Sequence, residues 1–233
     1  MSAATGPVLV LDSGSPRVSV AVGRQGLLLA ERSAEVARSS TFLLQMIDEA
    51  LATAGLAPAD LAGVAALAGP GSFTGLRIGL ATALGLHQAL GIAATALPTL
   101  AVLAACSPGA RTLAAVDVLR GEWAVQEWRD GRGGAMEILA AADLAQLAGS
   151  PPATVVGFGV GRLAEIPGWP PGARLLEPGP LAPAGLGLLP ADLAAWDPGL
   201  LTAPIYGRPA AVTAPRPRAV MPAGALGGSG ARR

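Results

Sequence analysis

An α/β fold in two lobes is what the sequence predicts, on three observations. Short apolar runs ending in turn residues alternate with stretches of helical periodicity. One such run, residues 64–67, passes straight into a glycine-rich loop that delivers a helix. Beyond Ser107-Pro108-Gly109 a second series of strand-like runs begins. Residues 1–107 therefore read as one lobe and 108–215 as a smaller second lobe. Residues 216–233, with Gly-Gly-Ser-Gly near their end, read as a disordered tail.

Taken in order, residues 8–11 are apolar and end in Asp12, after which Ser13-Gly14-Ser15-Pro16 turns the chain. Val18, Val20 and Val22 alternate with small residues, Gly23-Arg24-Gln25-Gly26 turns again, and residues 27–31 give a third run. An antiparallel three-strand meander is the prediction. Ser39-Ser40-Thr41 offers N-cap oxygens to a helix in which Phe42, Leu43, Met46, Ile47, Ala50, Leu51 and Ala54 recur at three- and four-residue spacing. That helix ends near Gly55. Pro58-Ala59-Asp60 is cap-like and leads into the buried strand at 64–67.

The next loop, Gly69-Pro70-Gly71-Ser72-Phe73-Thr74-Gly75, has glycines for close approach, a proline that presets φ, and Ser72 or Thr74 to cap the next helix. Its amides can bind an anion or dock against another protein, and both readings stand at this point. Small residues recur along the helix at Gly75, Gly79, Ala83, Gly85 and Ala89, with Leu76, Leu80, Leu84 and Leu90 beside them. An interior glycine costs about 1 kcal/mol relative to alanine. Their number predicts a seam against which another helix packs, extending to one on a second subunit.

In the second half, residues 112–116, 124–128, 136–139 and 154–157 read as strands and 141–148 as a helix. Residues 166–190 are so rich in proline and glycine that a long irregular loop is predicted, with a short helix near 192–196.

Composition excludes several chemistries. Among 233 residues there is no lysine, so all 16 cations are arginines, and both Schiff-base catalysis and a P-loop lysine are ruled out. Formal net charge is zero, which gives no general attraction to nucleic acid or anionic lipid. A lone His87 cannot supply a two-histidine zinc motif, and reads as a packed or interface residue. Cys106 has no partner for an internal disulfide; it reads as a buried inert thiol, consistent with a reducing cytoplasm. No cationic segment precedes the first apolar run, so no signal peptide is expected. The stretch between Arg77 and Arg111 lacks Asp, Glu, Lys and Arg, yet His87, Gly91, Thr95 and Pro98 divide it. It predicts a buried helix, a strand and a second helix rather than a membrane span.

Two aspartates end strands at matching places, Asp12 in the first half and Asp117 in the second. Each can be a simple turn residue, or part of a phosphate or magnesium site in a duplicated nucleotide fold. Arg120 is expected to pair with Asp117, and Arg77 to face an anion, an acidic partner group or solvent.

The run Gly69-Pro70-Gly71-Ser72-Phe73-Thr74-Gly75-Leu76-Arg77-Ile78-Gly79, with Val8-Leu9-Val10-Leu11-Asp12-Ser13 before it, resembles the TsaB (YeaZ) family. That family is the non-catalytic partner in bacterial synthesis of the threonylcarbamoyl modification at adenosine 37 of tRNA. The resemblance covers about the first 105 residues and continues in landmarks such as Val116-Asp117-Val118-Leu119-Arg120-Gly121-Glu122-Trp123 and Pro204-Ile205-Tyr206-Gly207-Arg208. It implies an actin-like, sugar-kinase-type (ASKHA) fold of two related lobes, the second reduced. It also implies a cytoplasmic scaffold that binds the catalytic TsaD subunit, is joined by TsaE, and meets tRNA only through the complex. Docking is then expected on the helices at 40–54 and 75–90, with Ser72, Phe73, Thr74, Gly75, Arg77, Gly79 and Ala83 at the interface. Self-association through the same face is an alternative. Asp12 and Ser13 would be a vestigial phosphate site, without catalytic residues, metal or cofactor of its own; ATP and magnesium would belong to the complex with TsaD. Ser13, Gly14 and Ser39-Ser40 depart from the family pattern where nucleotide would be handled. An active actin-like, ATP-dependent phosphotransferase using Asp12, Asp117 and the glycine loop is the alternative function.

Overall fold

The computed structural model describes residues 6–35 and 40–207. The expected tail at 216–233, Arg208 and the capping Ser39 lie outside them. β1 (Val8–Asp12), β2 (Arg17–Arg24) and β3 (Leu27–Glu35) form the expected meander, the third strand running four residues further than its apolar stretch. α1 (Ser40–Ala54) leads to β4 (Gly63–Gly69), parallel to β1. α2 (Phe73–Leu90) leads to β5 (Ala93–Pro98), parallel to β4, and α3 (Thr99–Ala105) comes next. The first sheet therefore has the order β3-β2-β1-β4-β5.

The second sheet repeats this plan. β6 (Arg111–Asp117), β7 (Glu122–Arg129) and β8 (Arg132–Ala140) form a meander, and α4 (Ala141–Gly149) leads to β9 (Thr154–Val156), parallel to β6. β10 (Arg174–Leu176) pairs in parallel with β9, and α5 (Leu181–Leu186) comes after it. Read from its far edge the order is β8-β7-β6-β9-β10, strand for strand the topology of the first sheet. α4 stands where α1 does and α5 where α3 does. In place of the 18-residue α2 the second lobe has only a 3-10 turn, Val160–Glu165. The fold is α/β with two related lobes, one reduced.

β1 is buried on both faces, as a central strand between helical layers must be. Leu9 and Leu11 join Val20, Val64, Leu43, Ile47 and Leu80 in the core under α1 and α2. Val10 points the other way, to Ala21, Leu67, Leu100, Leu103 and Leu181, in the layer where α3 and α5 stand between the sheets. A third cluster around Leu113, Trp123, Leu144 and Val155 fills the second lobe.

The irregular loop expected at 166–190 is corrected by β10 and α5. Pro183 falls in the first turn of α5, where a missing N–H breaks no helical bond, so proline density hid a helix. One of that helix's free donors, Ala182 N, bonds the buried Ser19 Oγ at 3.0 Å, and Leu181 and Ala182 are wholly buried. The helix expected near 192–196 is a 3-10 turn, Leu193–Ala195, capped by Asp192 Oδ1 accepting from Ala194 N at 2.9 Å. From there the chain returns to the first sheet, where Ile205 N donates to Ala68 O at 2.7 Å.

Candidate partner-docking site

The glycine loop is shaped by contacts inside the chain. Gly69 has φ +109°, and a Cβ there would stand 2.2 Å from Ile205 O; one on Gly71 would stand 2.7 Å from Gly14 O. Ser72 N donates to Gly14 O at 2.8 Å, and Ser72 Oγ accepts from Gly75 N at 3.3 Å, which makes Ser72 the N-cap of α2.

α2 then divides the expected interface residues between two faces. Gly75, Gly79 and Ala83 are buried within this chain. A Cβ on Gly75 would lie 2.0 Å from Ser13 O, and one on Gly79 would lie 2.4 Å from Ser13 Oγ. Gly75 and Gly79 admit the turn after β1, so the seam expected between subunits is, over these positions, an intramolecular one. Phe73, Thr74 and Arg77 are exposed, as is Gly85, where a Cβ would meet nothing within 4 Å.

That outward face forms an open groove of about 630 Å³ between α1 and α2. Leu44 from α1, 48% exposed, and Ile78, Ala81 and Leu86 from α2 give it an apolar lining. At one end Arg77 lies over the Phe73 ring, 3.9 Å from its centroid, and its Nε donates to Tyr206 Oη at 3.3 Å. The Phe73 and Tyr206 rings meet at 5.1 Å. Tyr206 is 129 residues from Arg77 in sequence, so spacing gave no signal of this cluster.

The Asp12 turn is closed. Asp12 is fully buried; Gly14 N and Ser15 N donate to its Oδ1 at 3.1 and 3.2 Å, while Oδ2 has no hydrogen-bond partner. Burial pushes its carboxyl up to about 6, against the lowering effect of the Ser15 hydroxyl and the two backbone donors. Ser13 Oγ donates to Gly75 O at 2.7 Å, so its hydroxyl is turned onto α2.

Asp117 occupies the matching strand end in the second lobe but differs in setting. Its Oδ1 accepts from Leu119 N at 2.7 Å, and its Oδ2 pairs with Arg162, which also lies over the Trp123 ring. The expected pairing with Arg120 is thus corrected: Arg120 sits in a left-handed turn with φ +60° and the 3-10 turn supplies the cation. His87 is a packed residue, its Nδ1 donating to Ile92 O at 2.6 Å. Cys106 is half-buried, burial pushes its thiol up, and its Sγ donates to Val102 O at 3.3 Å. Among the described residues no group of three or more His, Cys, Asp or Glu could hold a metal ion, and no helix is long and apolar enough to cross a membrane.

Comparison with known proteins agrees with this architecture. The family model described as TsaD, tRNA N6-adenosine threonylcarbamoyltransferase, matches residues 35–125. The TsaB protein of Escherichia coli K12, described as a tRNA threonylcarbamoyladenosine biosynthesis protein, is 37% identical over 125 residues, which is 50% of this chain and 53% of that protein. An uncharacterized Mycobacterium tuberculosis protein is 41% identical over 88 residues, 36% of this chain and 42% of its own. The chain spans about half the length of the curated relatives it matches. The solved structure of YeaZ from Pseudomonas aeruginosa superposes with TM-score 0.65 at 26% identity, over 78% of this chain and 90% of that one. The ethanolamine utilization protein EutJ of Carboxydothermus hydrogenoformans shares the fold alone, with TM-score 0.51 at 13% identity over 78% and 89% of the two chains. The duplicated sheets, the glycine loop and these matches agree in one respect: over its first half the chain is similar to TsaB, and its fold is similar to that of YeaZ.

Proposed function

We propose that this chain is a non-catalytic scaffold subunit in the synthesis of threonylcarbamoyladenosine at position 37 of tRNA. It binds and stabilises the TsaD homologue, a TsaE homologue joins them, and tRNA is met only through the assembly. The observation that carries this reading is the outward face of α1 and α2, an apolar groove ending in the Phe73–Arg77–Tyr206 cluster. Aromatic rings and an arginine beside exposed aliphatic side chains are the composition of a binding hot spot. Similarity to TsaB and to the TsaD family model gives the partner its name.

The closed turn after β1 supports a role without chemistry in this lobe. Asp12 is shut off from solvent and Ser13 directs its hydroxyl to Gly75 O, so neither offers a group to a phosphate. Docking therefore rests on Phe73, Thr74 and Arg77, with Ser72 capping the helix that carries them and Gly75, Gly79 and Ala83 holding it against the lobe.

Reconstitution tests the function. The TsaD and TsaE homologues of the same cell, supplied with threonylcarbamoyl adenylate and tRNA, should form the modified nucleoside only when this chain is added, as read by nucleoside mass spectrometry. Full product without it, or Mg-ATP hydrolysis by the isolated chain, would contradict the scaffold reading.

A further inference from the structure

We propose that the groove between α1 and α2 selects a partner helix that is apolar along one face and carries a carboxylate opposite Arg77. This rests on the docking reading above and adds the chemistry by which the partner is recognised.

Arg77 is positioned before any partner arrives. Its guanidinium lies 3.9 Å over the Phe73 ring, its Nε is engaged with Tyr206 Oη at 3.3 Å, and the two rings brace each other at 5.1 Å. Ion pairs among the described residues use Arg17, Arg32, Arg111, Arg129 and Arg162, and Arg77 is in none of them. A planar guanidinium held by a stacked ring presents its terminal nitrogens as a fork, the geometry that a carboxylate fills with two parallel hydrogen bonds. Because the side chain is already ordered, little conformational entropy is lost when that bond forms.

The rest of the groove fixes what must bear the carboxylate. From Phe73 to Leu86 is about 20 Å of helix, at roughly 1.5 Å per residue. Leu44 and Ile78 offer apolar contact along that length, and Ala81 and Gly85 let a backbone come close. A helix with apolar residues at three- and four-residue spacing matches that shape, with its acid near the end that meets Arg77.

A second copy of this chain matches it less well. α2 contains no Asp or Glu, so packing α2 on α2 would bring Arg77 to a helix without a counter-charge. On α1, Glu49 is already engaged by Arg32 and Gln45, leaving Asp48 as the one exposed acid a copy could offer from that helix.

Calorimetric titration of the full chain with the TsaD homologue of the same cell, at 50 and 300 mM salt, tests this. Arg77→Ala should weaken binding about 10- to 100-fold and flatten its salt dependence. Arg77→Lys should recover only part, and Arg77→Glu should be rescued by reversing one partner carboxylate. Thermal melts establish that each variant is folded. Gly85→Trp, which blocks the groove without touching Arg77, reports on docking itself. If Gly85→Trp abolishes binding while Arg77→Ala binds like wild type at both salts, the carboxylate inference is overturned and docking stands. Absence of wild-type binding would sink both. Self-association that Asp48→Arg abolishes and Arg77→Glu restores would assign the groove to a second copy and overturn the proposal.

Discussion

At the scale of single residues, Asp12 is where the fold bears an electrostatic cost. A carboxyl raised from 3.8 to about 6 in the folded state binds its proton more tightly there than in the unfolded chain. Stability is therefore highest below the unfolded value and falls as pH rises between roughly 4 and 6, by about 3 kcal/mol in all. Asp12→Asn keeps an oxygen for the Gly14 and Ser15 amides and removes the charge. Denaturant melts should show it more stable than wild type by up to about 3 kcal/mol at pH 7.5, the difference vanishing near pH 4. A difference independent of pH would mean the carboxylate is solvated. A strand-end Asp was legible in the sequence, but its burial was not, because that depends on α2, which packs against the turn from some 60 residues further along. Sequence distance likewise hid Arg111. Strand composition does not distinguish it from a solvated cation, yet it is buried, paired with Glu127 and donating to Leu147 O at 2.9 Å and to Pro151 O. Glu127 loses hydration on folding, yet Arg111 and Arg129 hold it below the ordinary carboxylate range. Arg111→Ala leaves Glu127 with Arg129 alone and strands the Leu147 and Pro151 carbonyls, and should cost roughly 2–3 kcal/mol in the same assay.

At the scale of the element, α2 carries both the fold and the surface. Its small residues were legible as a seam, and periodicity alone could not say which face met this chain and which met solvent. Gly75 and Gly79 admit the Ser13 turn, whereas Gly85 lies open. Two alanine substitutions of equal size should therefore act in opposite directions. Gly75→Ala forces a methyl toward Ser13 O and should destabilise by about 3 kcal/mol. Gly85→Ala gains helix propensity without a clash and should stabilise by up to about 1 kcal/mol. Thermal melts of the pair check the assignment of faces; equal effects would show that the two glycines share an environment. The strands were legible because alternation and turn residues are local. α5 was not, since its Pro183 reads as a breaker and the Ser19 hydroxyl that bonds its first turn lies 163 residues away.

At the scale of the whole molecule, the two sheets share one topology and differ in the element placed after the fourth strand of each. The first lobe has an 18-residue helix there and the second a six-residue 3-10 turn. A long exposed helix face beside α1 thus exists on the first lobe without a counterpart on the second, and the returning chain adds Tyr206 to it. Fold class was legible from the order of runs and turns; the proposed function was suggested only through the resemblance of the glycine-loop motif, since composition, charge and the lone histidine chiefly excluded alternatives. Docking on the face of α1 and α2 is probed by Gly85→Trp, because a Cβ there meets nothing within 4 Å in this chain. The measurement is the dissociation constant with the TsaD homologue, by calorimetry, for wild type and this variant at matched thermal stability. Docking on this face should give saturable one-to-one binding by wild type and a loss of at least about 100-fold in Gly85→Trp. Equal affinities would place the partner elsewhere and contradict it.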